Sequence, residues 1–176
     1  HFSRIGVTSP FDVDIDQDMK DSTQMIAVMG QSGLGLPDRD YYLKNDAKFK
    51  QIRADYLKYI EKTLQLAGET EAAKYAQQIM QLETNIAKAQ WSNVQNRDVP
   101  KLYNIYKIQD LSKLSPAIDW TAYLDGQQLT DKIQTIQVLQ PSYFKALNSI
   151  VKKNSLPVWK AYFKYHLISD YSSLLS

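Results

Sequence analysis

The sequence predicts a mainly α-helical lobe, a helical bundle carrying a small β-hairpin or three-stranded sheet. Three observations lead there. Apolar residues recur at helical spacing through most of the chain beyond Asn45, strict alternation is confined to two short stretches, and glycine and proline gather at a few points of punctuation. The 176 residues suit one unit, read as a single helical lobe over 1–176. A charged fraction of 23% beside 44% hydrophobic residues fits a packed globule and excludes a disordered or collagen-like chain.

Phe11, Val13 and Ile15 alternate with Asp12, Asp14 and Asp16, the period of a half-exposed strand. After the polar turn residues Asp18 to Ser22 comes a second apolar run, Met25-Ile26-Ala27-Val28-Met29, so 11–29 is predicted as a β-hairpin. Gly30-Gln31-Ser32-Gly33-Leu34-Gly35-Leu36-Pro37 is too rich in breakers to be anything but loop. Asn45 or Asp46 can then cap a helix whose stripe runs Phe49, Ile52, Tyr56, Tyr59, Ile60, Thr63, Ala67. Gly68 stands where a left-handed residue closes that helix. Thr70 is the expected cap of the next one, with Ala72, Ala73, Ala76, Ile79, Met80, Glu83, Ile86, Ala87 and Gln90 on its inner stripe. So short a connection makes the two helices a tight hairpin.

Between Asn93 and Ser115, Pro100 opens a short helix and Leu111 and Leu114 close an apolar patch. Asp119 is placed to cap another short helix that stops at Gly126. Thr135 to Leu139 alternates again, a single strand that can join the early hairpin as a third, since a lone hairpin is only marginally stable. Two helices complete the chain. One runs Pro141 to Lys153, with Tyr143, Phe144, Leu147, Ile150 and Val151 inward; the other runs Pro157 to Leu175, with Val158, Tyr162, Tyr165, His166, Ser169 and Ser173 on or near one face.

Composition narrows the function. A dispersed net charge of +2 predicts no nucleic-acid binding, which needs a concentrated basic face. No apolar run reaches the roughly 18 residues of a membrane span. The absence of cysteine excludes disulfides, thiol catalysis and cysteine-ligated metals, and two histidines leave little room for histidine chemistry. The opening His1-Phe2-Ser3 carries no signal peptide and reads as the start of a piece of a longer protein.

Five groups carry residue types that could do chemistry. The Gly30–Gly35 segment lacks the Lys-Ser/Thr and the immediate helix of a phosphate loop, so it is read as a structural turn. Asp14, Asp16 and Asp18 mimic the start of a calcium loop, yet Met19 and Met25 stand where glycine and an acidic ligand belong; strand alternation explains the spacing. Glu83 lies on an apolar stripe and needs a partner, Arg97 or a tyrosine hydroxyl, as a structural pair rather than a catalyst. Asp38-Arg39-Asp40 reads as a self-paired loop, with a substrate-carboxylate clamp as the sharper alternative. His166, with Tyr162 and Asp170 one turn away on either side, is a hydrogen-bonded core or interface histidine, since the only other histidine is His1.

One long segment carries a resemblance. Gln31-Ser32-Gly33-Leu34-Gly35-Leu36-Pro37-Asp38-Arg39-Asp40-Tyr41-Tyr42-Leu43 strongly resembles a segment of the neprilysin and endothelin-converting-enzyme family of zinc metallopeptidases. Asp18-x-Lys20-Asp21-Ser22 before it, and Leu82-Glu83-x-x-Ile86-Ala87-x-Ala89-x-Trp91-Ser92 followed by Arg97-Asp98 after it, are similar to the family's hairpin turn and long helix. Tyr103-Asn104, Ile118-Asp119-Trp120 and Leu156-x-x-Trp159-Lys160-x-Tyr162 keep the same order, so the likeness covers Phe11 to the end.

The resemblance implies two largely helical lobes around a central cavity, with zinc held in the C-terminal lobe by His-Glu-x-x-His and a downstream glutamate. This stretch resembles the N-terminal, non-catalytic lobe. It implies a lid that admits oligopeptides to a zinc site outside the chain, and the C-terminal catalytic lobe as partner. No catalytic, cofactor-binding or metal-ligating residue is carried over to any position here, and zinc is expected in the parent enzyme but not on this stretch. A bacterial type is implied by the missing cysteines, and an extracytoplasmic setting (periplasm or envelope) by the family, with some bacterial relatives cytoplasmic. The alternative is a self-standing helical peptide-binding or scaffold module without catalysis, its 12 tyrosines serving as contacts.

Overall fold

The computed structural model describes residues 5–174, so His1 and Leu175 lie outside the described residues. It is mainly helical with one small sheet. The chain opens with strands β1 (Phe11–Gln17) and β2 (Met25–Gln31), passes a one-turn helix α1 (Asp40–Leu43), and then forms the long helices α2 (Ala47–Leu66) and α3 (Ala72–Ala89). Short elements follow: α4 (Val99–Leu102), β3 (Ile105–Lys107), α5 (Leu111–Leu114), α6 (Trp120–Gly126) and β4 (Thr135–Val138). Helices α7 (Pro141–Lys153) and α8 (Leu156–Asp170) close the bundle.

The expected hairpin is present, antiparallel from Phe11 opposite Gln31 to Gln17 opposite Met25. Its turn is built by aspartates: Asp18 Oδ1 accepts the Lys20 amide at 2.7 Å, and Asp21 Oδ1 accepts the Thr23 amide at 3.0 Å. The far half of the hairpin runs past the core, so Ile15, expected inward, is 53% exposed and Met25 65%. The sheet is larger than predicted. Strand β4 pairs parallel with β2 and antiparallel with the unpredicted β3, giving four strands in the order β1-β2-β4-β3. Central β4 is covered on both faces, with Ile136, Gln137 and Val138 all fully buried.

Helix α3 is the hub of the bundle, touching α1, α2, α7 and α8. Its stripe of Ile79, Leu82 and Ile86 is fully buried, which at about 25 cal/mol per Å² is the dominant kind of stabilisation available to it. Asp46 caps α2 by accepting the Phe49 amide. The α2–α3 turn is a Schellman closure: Glu69 N–H donates to Leu64 C=O at 2.9 Å, Gly68 N–H to Gln65 C=O at 3.0 Å, and Gly68 sits at φ +76°. Thr70 is not the cap of α3; the helix begins two residues later after Glu71, whose side chain makes no capping bond. Asp119 caps α6 through the Ala122 amide at 2.9 Å. Helix α8 ends at Asp170, short of the predicted limit, and Ser172–Leu174 continue as a 3₁₀ turn.

Aromatic residues lock the sheet to the helices. Phe11 of β1 packs on Tyr123 and Trp120 of α6 and on Phe144 of α7, with ring centroids 4.8 to 5.6 Å apart.

Candidate functional site

The glycine-rich segment between β2 and α1 crosses the end of the bundle as a loop, and its two sides define the site. Underneath is a buried carboxylate; outside is a polar pocket.

The buried group is Glu83, in the middle of α3 and fully excluded from solvent. An isolated carboxylate there would cost several kcal/mol, and four donors from four segments converge on it. Tyr42 Oη (α1) donates to Oε2 at 2.6 Å, Tyr56 Oη (α2) to Oε2 at 2.9 Å, and His166 Nε2 (α8) lies 2.8 Å from Oε1. The Gly35 amide of the loop reaches Oε2 at 3.4 Å. Tyr42 Oη also accepts the Leu36 amide at 2.9 Å, so the carboxylate holds the loop both directly and through a tyrosine. The pair His166–Glu83 is sealed on every side, with the rings of Tyr162 and Tyr165 at 4.4 and 5.0 Å from the imidazole. Buried this way, the cluster ties α1, α2, α3 and α8 together at one point.

Burial, and then the negative charge of Glu83, push the hydroxyls of Tyr42, Tyr56 and Tyr162 far above the ordinary tyrosine range. Tyr143 and Tyr165 are raised as well, again mainly by burial. All five therefore stay protonated, Tyr42 and Tyr56 as donors to the carboxylate.

The loop's backbone explains its glycines. Gly33 has φ +98°, and a Cβ there would stand 2.7 Å from Pro10 Cα. A Cβ on Gly35 would stand 1.8 Å from Tyr56 Oη, the hydroxyl that serves Glu83. Tyr162 Oη donates to Gly33 C=O at 2.9 Å, Gln90 Nε2 to Ser32 C=O at 2.9 Å, and Gln31 exchanges two bonds with the Trp91 backbone. Gly30 and Gln31, expected in the loop, instead extend β2 opposite Asp12 and Phe11, and the turn itself starts at Ser32.

Of the other sequence candidates, Glu83 and His166, reached separately, turn out to be partners. Arg97, the cation proposed for Glu83, lies exposed on a 3₁₀ turn; the tyrosine alternative holds, with two hydroxyls instead of one. The signal for the histidine was available, since Glu83 and His166 both fall on the inward stripes of their helices. The self-pairing expected of Asp38-Arg39-Asp40 does not occur. Asp40 pairs with Lys44 at 2.8 Å, Asp38 Oδ1 accepts the Asp40 amide at 2.7 Å, and Arg39 Nε donates to Ala87 C=O at 3.1 Å. Asp14 and Asp16 lie exposed along β1, while Asp18 serves the hairpin turn and, through Oδ2, the Tyr103 hydroxyl at 3.2 Å. Among the described residues no group of three or more His, Asp or Glu side chains is placed to hold a metal ion. Of the histidines, the described one, His166, has its Nε2 2.8 Å from Glu83 Oε1.

A helical bundle that pins a glycine-rich loop over a buried Glu–Tyr–His cluster is the class of lobe seen here, and comparison with known proteins gives it a family. The family model described as peptidase family M13, in its N-terminal part, matches residues 1–176. The chain belongs to that family. Endothelin-converting enzyme 1 of Rattus norvegicus is 30% identical over 175 residues, 96% of this chain and 23% of the relative, and the human enzyme matches equally. Zinc metalloprotease Zmp1 of Mycobacterium tuberculosis, solved with an inhibitor, superposes with a TM-score of 0.91 at 30% identity, over 99% of this chain and 27% of that one. PepO of Lactobacillus rhamnosis shares the fold, with a TM-score of 0.70 at 17% identity, over 96% of this chain and 26% of that one. The chain spans about a quarter of the length of the relatives it matches. Among the described residues no helix is long and apolar enough to cross a membrane.

Proposed function

We propose that this chain is the non-catalytic lid lobe of a zinc metalloendopeptidase that hydrolyses oligopeptides, restricting access to a zinc site carried by the C-terminal lobe of the same protein. The observation that carries the reading is the match over the whole chain to about a quarter of a zinc metalloprotease, at a TM-score of 0.91. On this reading the zinc belongs to the remaining three quarters of the parent, and the partial coverage of the matched zinc metalloprotease supports that division. The lobe's own task is then steric. The α2–α3 hairpin, α7 and α8 form a wall stiffened by a buried polar cluster, and a stiff wall excludes folded proteins while short extended peptides pass. An extracytoplasmic setting goes with the family and is part of the same proposal.

The test compares the full parent protein with residues 1–176 alone. The parent is expected to hold one zinc per chain by elemental analysis and to cleave oligopeptides but not folded proteins. The isolated stretch is expected to do neither. Tight one-to-one zinc on residues 1–176, or cleavage of peptides by them, overturns the proposal. So does a parent sequence without a His-Glu-x-x-His beyond Ser176, which supports the self-standing module instead.

A further inference from the structure

We propose that Arg39 and the polar pocket it lines form a carboxylate-binding site. The loop carries two acids flanking one arginine, and the obvious role for that arginine is to neutralise them. The structure removes that role, because Asp40 is taken by Lys44 and Asp38 by the Asp40 amide. Among the described residues Arg39 has no carboxylate partner; its one bond runs from Nε to Ala87 C=O in the last turn of α3. That carbonyl is one of the acceptors a helix end leaves open, and the negative end of α3 favours a cation beside it.

A guanidinium has five N–H donors in one rigid plane. Holding Nε fixes the plane and leaves the two terminal nitrogens, whose parallel N–H bonds match the two oxygens of a carboxylate. The side chain is half-buried and borders a pocket of about 260 Å³ shared with Ser32, Asp38, Gln90, Trp91 and Asn93. The walls are already ordered: Gln90 is bonded to Ser32 C=O and Trp91 Nε1 to Ser142 Oγ at 2.7 Å. An arginine fixed before its ligand arrives loses little rotamer freedom on binding. Asp38 is the acid on the rim and opposes any anion, so the site is poised rather than saturated, and removing that charge strengthens it.

The carboxylate can come from the C-terminus of a peptide substrate, which rests on the proposed peptidase reading, or from an Asp or Glu elsewhere in the parent chain. The experiment uses the full parent protein with R39Q, R39K and D38N, and a peptide made with a free C-terminal carboxylate and again as its carboxamide. Calorimetric affinity, kcat/KM and melting temperature are read for each. For a substrate carboxylate, R39Q weakens binding of the free-acid peptide on the order of ten- to a hundredfold and leaves the amide unchanged. R39K falls between, and D38N shifts affinity the other way. For a carboxylate of the parent chain, both peptides behave alike, while R39Q lowers and D38N raises the melting temperature. D38N gives the sign of the effect even if R39Q fails to fold. The proposal is overturned if no variant moves affinity or melting temperature, or if R39Q destabilises while D38N is neutral, the pattern of a helix-end contact alone. Calorimetry separates it from the peptidase reading: a parent that cleaves nothing yet distinguishes acid from amide through Arg39 sinks that reading and keeps this site.

Discussion

Two sets of carboxylates sit at opposite depths in this lobe. The hairpin aspartates Asp14, Asp16 and Asp18 are crowded in sequence, yet they face outward or serve the local turn backbone. Glu83 is alone in its stretch of helix and completely buried, and it draws donors from three other helices and a loop. The crowded set resembles a metal site and holds the turn; the solitary acid looks like a flaw in an apolar stripe and organises the lobe. Depth and convergence, not local density, decide what an acidic residue does here.

The sharpest way to break this contrast is Glu83→Leu. It leaves two tyrosine hydroxyls and an imidazole buried without their acceptor, and stability is expected to fall by about 3–5 kcal/mol in urea unfolding. A loss below about 1 kcal/mol would erase the difference in depth. Alkaline pH attacks the same region as a whole. The tyrosines around Glu83 have raised pKa values in the fold, so their protonated form is favoured there, and their contribution is fully present below the ordinary value of about 10. It is lost as pH climbs above that, because the unfolded chain ionises and the folded one does not. Each such tyrosine steepens the loss by roughly 1.4 kcal/mol per pH unit, and unfolding should release several protons when followed by tyrosinate absorbance at 295 nm. Tyr42→Phe removes one donor and leaves the others, an expected cost of about 1–2 kcal/mol. A double-mutant cycle with Glu83→Gln checks that the cost belongs to the pair. At the shallow set, Asp18→Ala loses a turn acceptor and should cost about 1 kcal/mol. Asp14→Asn and Asp16→Asn are expected within about 0.5 kcal/mol of the parent by the same unfolding midpoint.

Much of this was written in the residue order. Most of the stripes on α2, α3, α7 and α8 and the caps Asp46 and Asp119 act within a few residues of themselves, so a local pattern reveals them, although Tyr59 and Ala73, placed on those stripes, are exposed. Strand β3 could not be read because its three residues, Ile105–Lys107, are too few to show a period and Ile105 is 42% exposed. The parallel pairing of β4 with β2 has no local signature either, since register across a long connection is set by packing. At the site, a glutamate on an apolar stripe stands out in the sequence, but proximity along the chain points to Arg97, which is exposed. The true neighbour, His166, lies 83 residues away, across the α3–α8 contact. Arg39 departs from its local pattern for the reverse reason. Adjacent charges invite pairing, yet α1 begins at Asp40 and the Ala87 carbonyl lies within reach of Arg39.

The parallel contact of Ala27 with Ile136 also sets a timetable for assembly. The hairpin leaves the ribosome before β4, and the strand that completes its inner edge follows on the order of a hundred residues later. At roughly 5–20 residues per second that is a wait of about 5–20 s. During this interval β2 presents an open, apolar edge, with Met29 and Ala27 still uncovered, and such edges recruit other strands. Nascent-chain handling over that window, rather than final stability, is where a cell would most readily lose this lobe.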